Sequence, residues 1–352
     1  MLGGPLPPMP APGVVWRRMR RLTARATLDV HTQHLVSGVL LGQFTAPIGQ
    51  RGAPQVYSLS LEHPHAKLTG RGLERCGSAP VEDFVRFQSG SLEKVWARVE
   101  NNADTEFSAV RDGTAVQPGH LDWLRDLIAI HHARSIQYYS VFEDSLQNAR
   151  QVALRFWQHY PGVLDAIAAS RLSLPGGDAA SRERAVQELQ RPLSKQIVDG
   201  ALFRVLMEYR YRRTRHWLRG LGVEILTPSH GEFVVGDIPA LTVRKGMPNA
   251  GVSAGIGYAF ADAVILPIAP DFLLRVVDGP SRYAQADGEE VAELNAWQVR
   301  GAFSHVYLRP GSGLEEFIRS VDRPRPSEGV YRDFYQLCET LSRRQNGNRK
   351  AD

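Results

Sequence analysis

Three polar side chains stand where apolar residues would be expected, and their types are those of an acid–base site. His34 borders an apolar segment, Arg134 falls on an apolar helical stripe, and Asp237 follows the apolar run 233–235 at an Ile-Pro turn. An imidazole and a carboxylate can transfer protons, and a guanidinium can orient negative charge. Together with Glu93, these residues predict a hydrolase-like site for a phosphorylated or nucleic-acid substrate.

The same residues also have structural explanations, which the sequence leaves open. Asp237 could serve only to form the turn, because aspartate commonly does so. Arg134 could form a buried ion pair with a carboxylate of the preceding helix, where Glu93 and Glu100 lie beside the apolar stripe. A buried guanidinium requires such a partner whether or not chemistry occurs. We therefore predict that Arg134 pairs with one of these two glutamates.

A divalent metal is a further open alternative. Carboxylates and imidazole bind hard cations and can activate water, but the sequence does not show that these groups converge. His131 is a binding candidate, and its neighbour His132 points about 100° away on a helix, so the two cannot easily face one metal. We predict no cofactor. The candidate metal ligands are His34, Glu93, Glu100 and Asp237.

A strongly basic helix end is the candidate surface for a nucleic acid. Its arginines Arg212, Arg213 and Arg215 alternate with aromatic residues, a mixture that can hold phosphates and stack on bases. Arginines in the last turns of a helix also stabilise its dipole while they remain solvated. The net charge of +5 agrees with a nucleic acid or an acidic ligand but does not choose between these readings.

Apolar periodicity predicts the elements that position these groups. A short helix should carry His34 at its start and end at Gly42. Further helices are predicted at about 91–111, from 118 past 135, after an N-cap at Asp178, and at 193–220, 289–303 and 331–344. Strands are predicted at 57–61, 223–227, 232–235, 241–243, 264–268, 273–277 and 305–308.

These elements predict an α+β fold with a predominantly helical central region at about 84–220 and a strand-rich part at about 221–310. Short turns between the strands favour antiparallel pairing. We therefore expect N-terminal and C-terminal strands to form a small mixed, mainly antiparallel sheet. Residues 29–345 are predicted to form a single domain, flanked by disordered tails at 1–28 and 346–352.

Several short motifs occur in an order that resembles one bacterial protein family. The resemblance is to the family known as domain of unknown function 4238. The motifs are the segments His34-Leu35-Val36-Ser37 and Leu40-Leu41-Gly42-Gln43-Phe44, the helical patterns Glu93-x-x-Trp96-x-x-x-Glu100 and Ile130-His131-His132-Ala133-Arg134-Ser135, and the segments 233–239, 266–271, 294–298 and 306–308.

The resemblance implies positions for a site but no chemistry, because the family has no established reaction. Through the 294–298 segment it adds Asn295 and Gln298 to the binding candidates. The chain departs from the family pattern at Gly236, where a serine commonly precedes the aspartate. It also lacks the proline often found soon after the first histidine. The first departure weakens any mechanism that needs a hydroxyl beside Asp237.

Composition excludes several classes of protein. No apolar run approaches the roughly 20 residues of a membrane span, so we expect a soluble protein without membrane contact. Two distant cysteines indicate a reduced, cytoplasmic setting. Phosphate-loop, zinc-protease and serine-hydrolase motifs are absent. Two classes of function remain open: an enzyme, and a non-catalytic nucleic-acid or protein binding module whose polar residues form a structural network. The oligomeric state also remains open. Convergence of the candidate residues would favour the enzyme.

Overall fold

The computed structural model describes most of the chain between Thr32 and Arg323. The predicted tails 1–28 and 346–352 and the predicted helix 331–344 lie outside the described residues. The described residues are 32–48, 52–63, 65, 67–73, 76–80, 90–135, 161–175, 177–198, 201–246 and 261–323.

Nine helices and twelve strands occur among the described residues, and they form an α+β fold as predicted. The helices are α1 (Gly38–Gly42), α2 (Gly90–Asn101), α3 (Ala103–Arg111), α4 (Pro118–Ala133), α5 (Pro161–Leu172), α6 (Ala179–Val198), α7 (Ala201–Leu218), α8 (Gly288–Gly301) and α9 (Glu315–Ser320). The strands are β1 (Thr32–His34), β2 (Ala46–Pro47), β3 (Pro54–Ser60), β4 (Thr69–Arg71), β5 (Ser78–Pro80), β6 (Gly222–Pro228), β7 (Val235–Gly236), β8 (Leu241–Val243), β9 (Ala263–Ala269), β10 (Phe272–Val277), β11 (Arg282–Ala286) and β12 (His305–Leu308).

The strands form two five-stranded sheets and one short pair, rather than a single sheet. The first sheet has the order β11-β6-β10-β9-β8, and only its β11–β6 pair is parallel. The second has the order β2-β3-β12-β7, with β4 also on β3, and is antiparallel throughout. The N-terminal strand β3 thus pairs with the C-terminal strand β12, as predicted. Strand β1 pairs with β5.

The first sheet is buried on both faces because its strands alternate between two apolar clusters. Val223 and Ile225 of β6 join the large cluster formed with α1, α2, α3, α4 and α7, whereas Leu226 faces α8. Side chains with a two-residue period divide in this way between the faces of a sheet. Helix α8 also contacts the second sheet through Val299 and Ala302, so it lies between the two sheets.

Helices α2, α3 and α4 form the wall that carries the glutamates and the arginine. The Trp123 indole N–H of α4 donates to the Val99 carbonyl of α2 at 2.9 Å, and its ring meets Phe107 of α3 edge-on at 5.5 Å between centroids. The bonded, buried indole fixes the spacing between these helices. The backbone breaks at Asn102, so α2 and α3 are separate helices and not the continuous helix predicted over 91–111.

Other predicted boundaries were wrong for reasons that lie far away in the chain. His34 ends strand β1 and does not begin a helix, because Leu35 and Val36 both donate their N–H groups to the Gly77 carbonyl, at 2.6 and 3.0 Å. Gly77 has φ +60°, and an added Cβ would lie 2.8 Å from the Cβ of Val36, so only glycine fits. The strand predicted over 232–235 is reduced to β7.

Two further helix predictions need correction. The helix from 118 ends at Ala133 and does not continue past 135. The helix predicted over 193–220 is divided between α6 and α7. The N-cap at Asp178 is confirmed, since its carboxylate accepts the Ser181 N–H at 2.8 Å. No helix in the described residues has the length and apolar character that crossing a membrane requires.

Candidate functional site

Three sequence-distant motifs meet where α1, α2 and α4 pack together. We call the five side chains that meet there the Arg134 network. Its members are Ser37, Trp96, Glu100, His131 and Arg134.

Glu100 of α2 is the central acceptor of the Arg134 network. The Ser37 hydroxyl donates to Glu100 Oε1 at 2.8 Å, and Arg134 Nη1 lies 3.7 Å from the same oxygen. The Glu100 side chain is 36% exposed, whereas that of Arg134 is only 7% exposed. The predicted pairing of Arg134 with a glutamate of the preceding helix is therefore confirmed for Glu100. The network opens toward solvent on its carboxylate side.

Arg134 is held in place by an aromatic ring as well as by charge. Its guanidinium carbon lies 4.3 Å from the centroid of the buried Trp96 ring, within the range of a cation–π contact. Arg134 follows directly after the last residue of α4, so the end of the helix places the guanidinium over α2. A guanidinium stacked on a ring keeps its N–H groups in a fixed plane, which is the geometry that binds oxyanions.

His131 joins α4 to the start of α1 and carries no charge at neutral pH. Its Nδ1 lies 2.9 Å from the Leu127 carbonyl, and Nε2 accepts the Ser37 backbone N–H at 3.3 Å. The ring is fully buried, and desolvation lowers the pKa of His131 to about 4. Nearby Arg134 acts in the same direction. Both ring nitrogens are engaged, so this histidine positions the helices.

Asp237 lies in a second polar region, at the turn between α8 and β12. Its carboxylate accepts the backbone N–H groups of Phe303, Ser304 and His305 at 2.6, 2.7 and 2.9 Å, and the Ser304 hydroxyl at 3.0 Å. Four donors therefore surround a side chain that is only 6% exposed. The carboxylate fixes the path of the chain into β12.

Asn295 and Gln298 belong to the same region, and their side-chain amides hydrogen-bond to backbone N–H and C=O groups as a neighbouring strand would. Asn295 accepts the Val234 N–H at 2.9 Å and donates to the Glu232 carbonyl at 2.8 Å. Gln298 does the same for Gly236 and Pro239, at 3.0 Å each. The two amides lie three residues apart, so they project from one face of α8. We call Asp237, Asn295, Gln298 and residues 303–305 the Asp237 corner.

Comparison with known proteins finds one match. A model of a protein family of unknown function, DUF4238, covers residues 32–312. The chain belongs to the DUF4238 family. No curated protein and no solved structure matches it.

The family motifs divide between the two polar regions. The segments around Ser37, Glu100 and Arg134 supply the Arg134 network, and those around Asp237 and Asn295 supply the Asp237 corner. His34 is the last residue of β1, and Glu93 lies in the first turn of α2. The side chains of both lie outside the described part of the structure. The predicted meeting of His34 with Asp237 in one cleft therefore stays a prediction.

The arginines of α7 are bound largely within the protein. Arg212 donates to Glu208 at 2.9 Å, Arg210 donates to the ring of His132 at 3.1 Å, and Arg215 pairs with Asp126 of α4. Arg213 approaches the Tyr209 ring at 6.0 Å. The contacts of Arg210 and Arg215 join α7 to α4, whereas those of Arg212 and Arg213 stay within α7. Desolvation lowers the pKa of the buried His132 well below its usual value.

The sequence predicted no site role for Ser37, Trp96, Arg98 and Asp126, which make hydrogen-bond, ring or ion-pair contacts in the structure. Ser37 stands where a helix N-cap is expected, yet its hydroxyl binds Glu100 and not the helix backbone. Asp126 is only 5% exposed, although it is a carboxylate within α4. Among the described residues, no group of three or more histidines, cysteines or acids could hold a metal.

Proposed function

We propose that this chain binds a phosphate-bearing ligand at the Arg134 network. The observation that carries the proposal is the position of the Arg134 guanidinium, stacked 4.3 Å from the Trp96 centroid and 3.7 Å from a carboxylate that is partly open to solvent. A phosphate oxyanion is the ligand class that a fixed, planar guanidinium recognises best.

Glu100 is the group that a bound phosphate would replace beside Arg134. Its contact to Arg134, at 3.7 Å, is longer than a direct hydrogen bond, whereas its bond from Ser37 is 2.8 Å. A carboxylate exposed by 36% is hydrated at little cost, so it can turn away when a phosphate approaches. The Ser37 hydroxyl then becomes available to the incoming anion. The ligand thereby replaces an internal carboxylate with its own oxygens.

Binding is tested by heat denaturation in the presence of inorganic phosphate and of adenosine monophosphate. Wild-type protein should melt at higher temperature as either ligand is added. Arg134→Lys should lose most of that shift, because an ammonium group neither stacks nor binds in a plane. Arg282→Gln is the control, since it removes an arginine from β11, far along the chain. A folded Arg134→Lys protein with an unchanged shift would contradict the proposal.

Hydrolysis of the bound ester is the second candidate function, and the Ser37–Glu100 hydrogen bond favours it. A carboxylate that already accepts a hydroxyl proton at 2.8 Å can accept one from water. In that reaction water oxygen bonds to phosphorus, the ester bond breaks, Glu100 takes the water proton, and solvent protonates the leaving oxygen. Asp237 has only a structural part in this scheme, because four donors occupy its carboxylate.

Catalysis is tested with p-nitrophenyl phosphate and bis(p-nitrophenyl) phosphate. If Glu100 is the base, Glu100→Gln should keep phosphate binding and lose about 100-fold or more in turnover. Binding of phosphate without turnover of either ester by wild type would leave a binding protein and remove the hydrolase. Turnover that survives in Glu100→Gln would assign the base to another residue.

A further inference from the structure

A buried carboxylate on α4 joins arginines from two other helices. Asp126 is 5% exposed, and Arg98 of α2 lies 3.4 Å from its Oδ2, while Arg215 of α7 pairs with Oδ1. One buried negative charge therefore holds two guanidiniums, of which Arg98 remains 59% exposed. Because two guanidiniums share one carboxylate, this cluster leaves a net positive charge at the surface.

More arginines extend this positive charge along α7. Arg212 lies three residues before Arg215 on the same side of α7, and Arg219 follows directly after Leu218, the last residue of the helix. Arg212 is 61% exposed, and Arg219 is exposed. Their described acidic partners are Asp126 and Glu208, so four guanidiniums face two carboxylates. The nearby Arg125–Asp122 pair adds no net charge.

The aromatic residues of α7 do not form a stacking surface. Tyr211 is 5% exposed, and Trp217 packs against the main apolar core. Tyr209 lies beneath Arg213, with 6.0 Å between the guanidinium carbon and the ring centroid. Bases stack on open ring faces, and these rings are turned inward or covered. The surface can therefore contact phosphates but not read or stack bases.

We propose that Arg98, Arg212, Arg215 and Arg219, here called the arginine face, bind the phosphate backbone of nucleic acid without regard to sequence. Arginine is suited to phosphate contacts, and backbone contacts carry no sequence information. Asp126 fixes two of the guanidiniums before binding, which lowers the entropy lost on association. The proposal does not depend on ligand binding at the Arg134 network, because it uses different side chains.

The test is fluorescence anisotropy with labelled 20-nucleotide single strands, one of mixed sequence and one of thymidine alone. Both should bind with similar affinity, and the affinity should fall steeply as salt rises. Arg212→Gln should weaken binding at least threefold in 50 mM salt. It should also reduce the slope of log affinity against log salt by about 0.7, the value for one lost phosphate contact on a single strand.

Arg282→Gln is a closely matched control. Arg282 is 62% exposed and pairs with Glu224, whose side chain is 6% exposed, while Arg212 is 61% exposed and pairs with Glu208, which is 7% exposed. The two variants lose the same kind of surface ion pair, but only one lies on the arginine face. Arg98→Gln repeats the test on α2, so a folding defect specific to α7 would be recognised.

Several results would contradict nucleic-acid binding by the arginine face. They are no binding by wild type in 50 mM salt, equal losses in Arg212→Gln and Arg282→Gln, or a preference above tenfold for one of the two strands. A loss in Arg134→Lys together with unchanged binding in Arg212→Gln and Arg98→Gln would move nucleic-acid binding to the Arg134 network and contradict the proposal.

Discussion

The Arg134 network and the Asp237 corner both bury polar side chains at the ends of apolar elements, but they bond to different partners. In the corner, Asp237, Asn295 and Gln298 bind backbone groups. In the network, Glu100 binds the side chains of Ser37 and Arg134 and is itself partly exposed. Backbone partners cannot be exchanged without unfolding the chain, whereas side-chain partners can turn away. The corner is therefore built for rigidity and the network for exchange.

Removing the Asp237 carboxylate should have the largest effect. Asp237→Ala leaves three backbone N–H groups near β12 without their acceptor, each costing roughly 1 to 3 kcal/mol when buried. We expect a loss of about 4 kcal/mol in the free energy of unfolding, measured in urea. Ser304→Ala removes only one of the four bonds and should cost about 1 kcal/mol. A loss below 1 kcal/mol in Asp237→Ala would mean that the corner is not rigid.

Acid should weaken the network through His131. Its pKa is about 4 in the folded protein, against the ordinary histidine value of 6.5, so the unfolded chain binds a proton first as pH falls. The histidine's contribution is complete above pH 6.5 and is lost as pH falls toward 4, by about 3 kcal/mol. Urea titrations at several pH values measure this loss. His131→Asn should show a smaller loss over the same range, and an identical loss would assign the acid sensitivity to other groups.

Breaking the ion pair from its two sides should give unequal effects. Arg134→Met leaves Glu100 without its cation, but Glu100 can hydrate, so we expect a loss of about 2 kcal/mol, below the 3 to 5 kcal/mol of a fully buried pair. Glu100→Gln keeps an acceptor for Ser37 but leaves the buried Arg134 guanidinium without this counter-charge, so it should cost more, about 3 kcal/mol. Equal losses of 3 kcal/mol or more, in thermal or urea unfolding, would show that the network is as rigid as the corner.

The smallest expected effect concerns the residue beside Asp237. A Cβ at Gly236 would lie 3.0 Å from both the Ala302 Cβ and the Gln298 carbonyl oxygen, so the end of α8 would have to move slightly. Gly236→Ser should therefore cost about 1 kcal/mol in urea unfolding. A stabilising effect would show that the family's usual serine finds a hydrogen bond there that outweighs the close contact.

Local patterns predicted the elements and one long-range contact. The alternation at 57–61 predicted β3, the N-cap at Asp178 was confirmed, and the burial of Arg134 predicted an acidic partner on the preceding helix. These predictions succeed because the signal lies within one or two turns of chain, or because a buried charge must be compensated.

The rest of the site depends on contacts that local patterns do not encode. Ser37 directly precedes α1, and only the packing of α1 on α2 brings its hydroxyl to Glu100. The apolar spacing after His34 predicted a helix, but the N–H groups of Leu35 and Val36 bond to the Gly77 carbonyl, so His34 ends a strand. Asp126 is paired with Arg215 only because α7 packs against α4. The parallel strand β11 also went unpredicted, because four other strands lie between it and its partner β6 in sequence.

Strand β12 has a consequence for how the chain folds during its synthesis. Its Tyr307 hydroxyl accepts the Gly77 N–H across 230 residues, and β12 is the neighbour that completes β3. At about 5 to 20 residues per second, a ribosome needs roughly 10 to 50 seconds to make the intervening chain. During that time β3 has an open hydrogen-bonding edge, which is a common starting point for aggregation. Expression yield should therefore respond to translation speed and chaperone supply more than the stability of the finished fold would suggest.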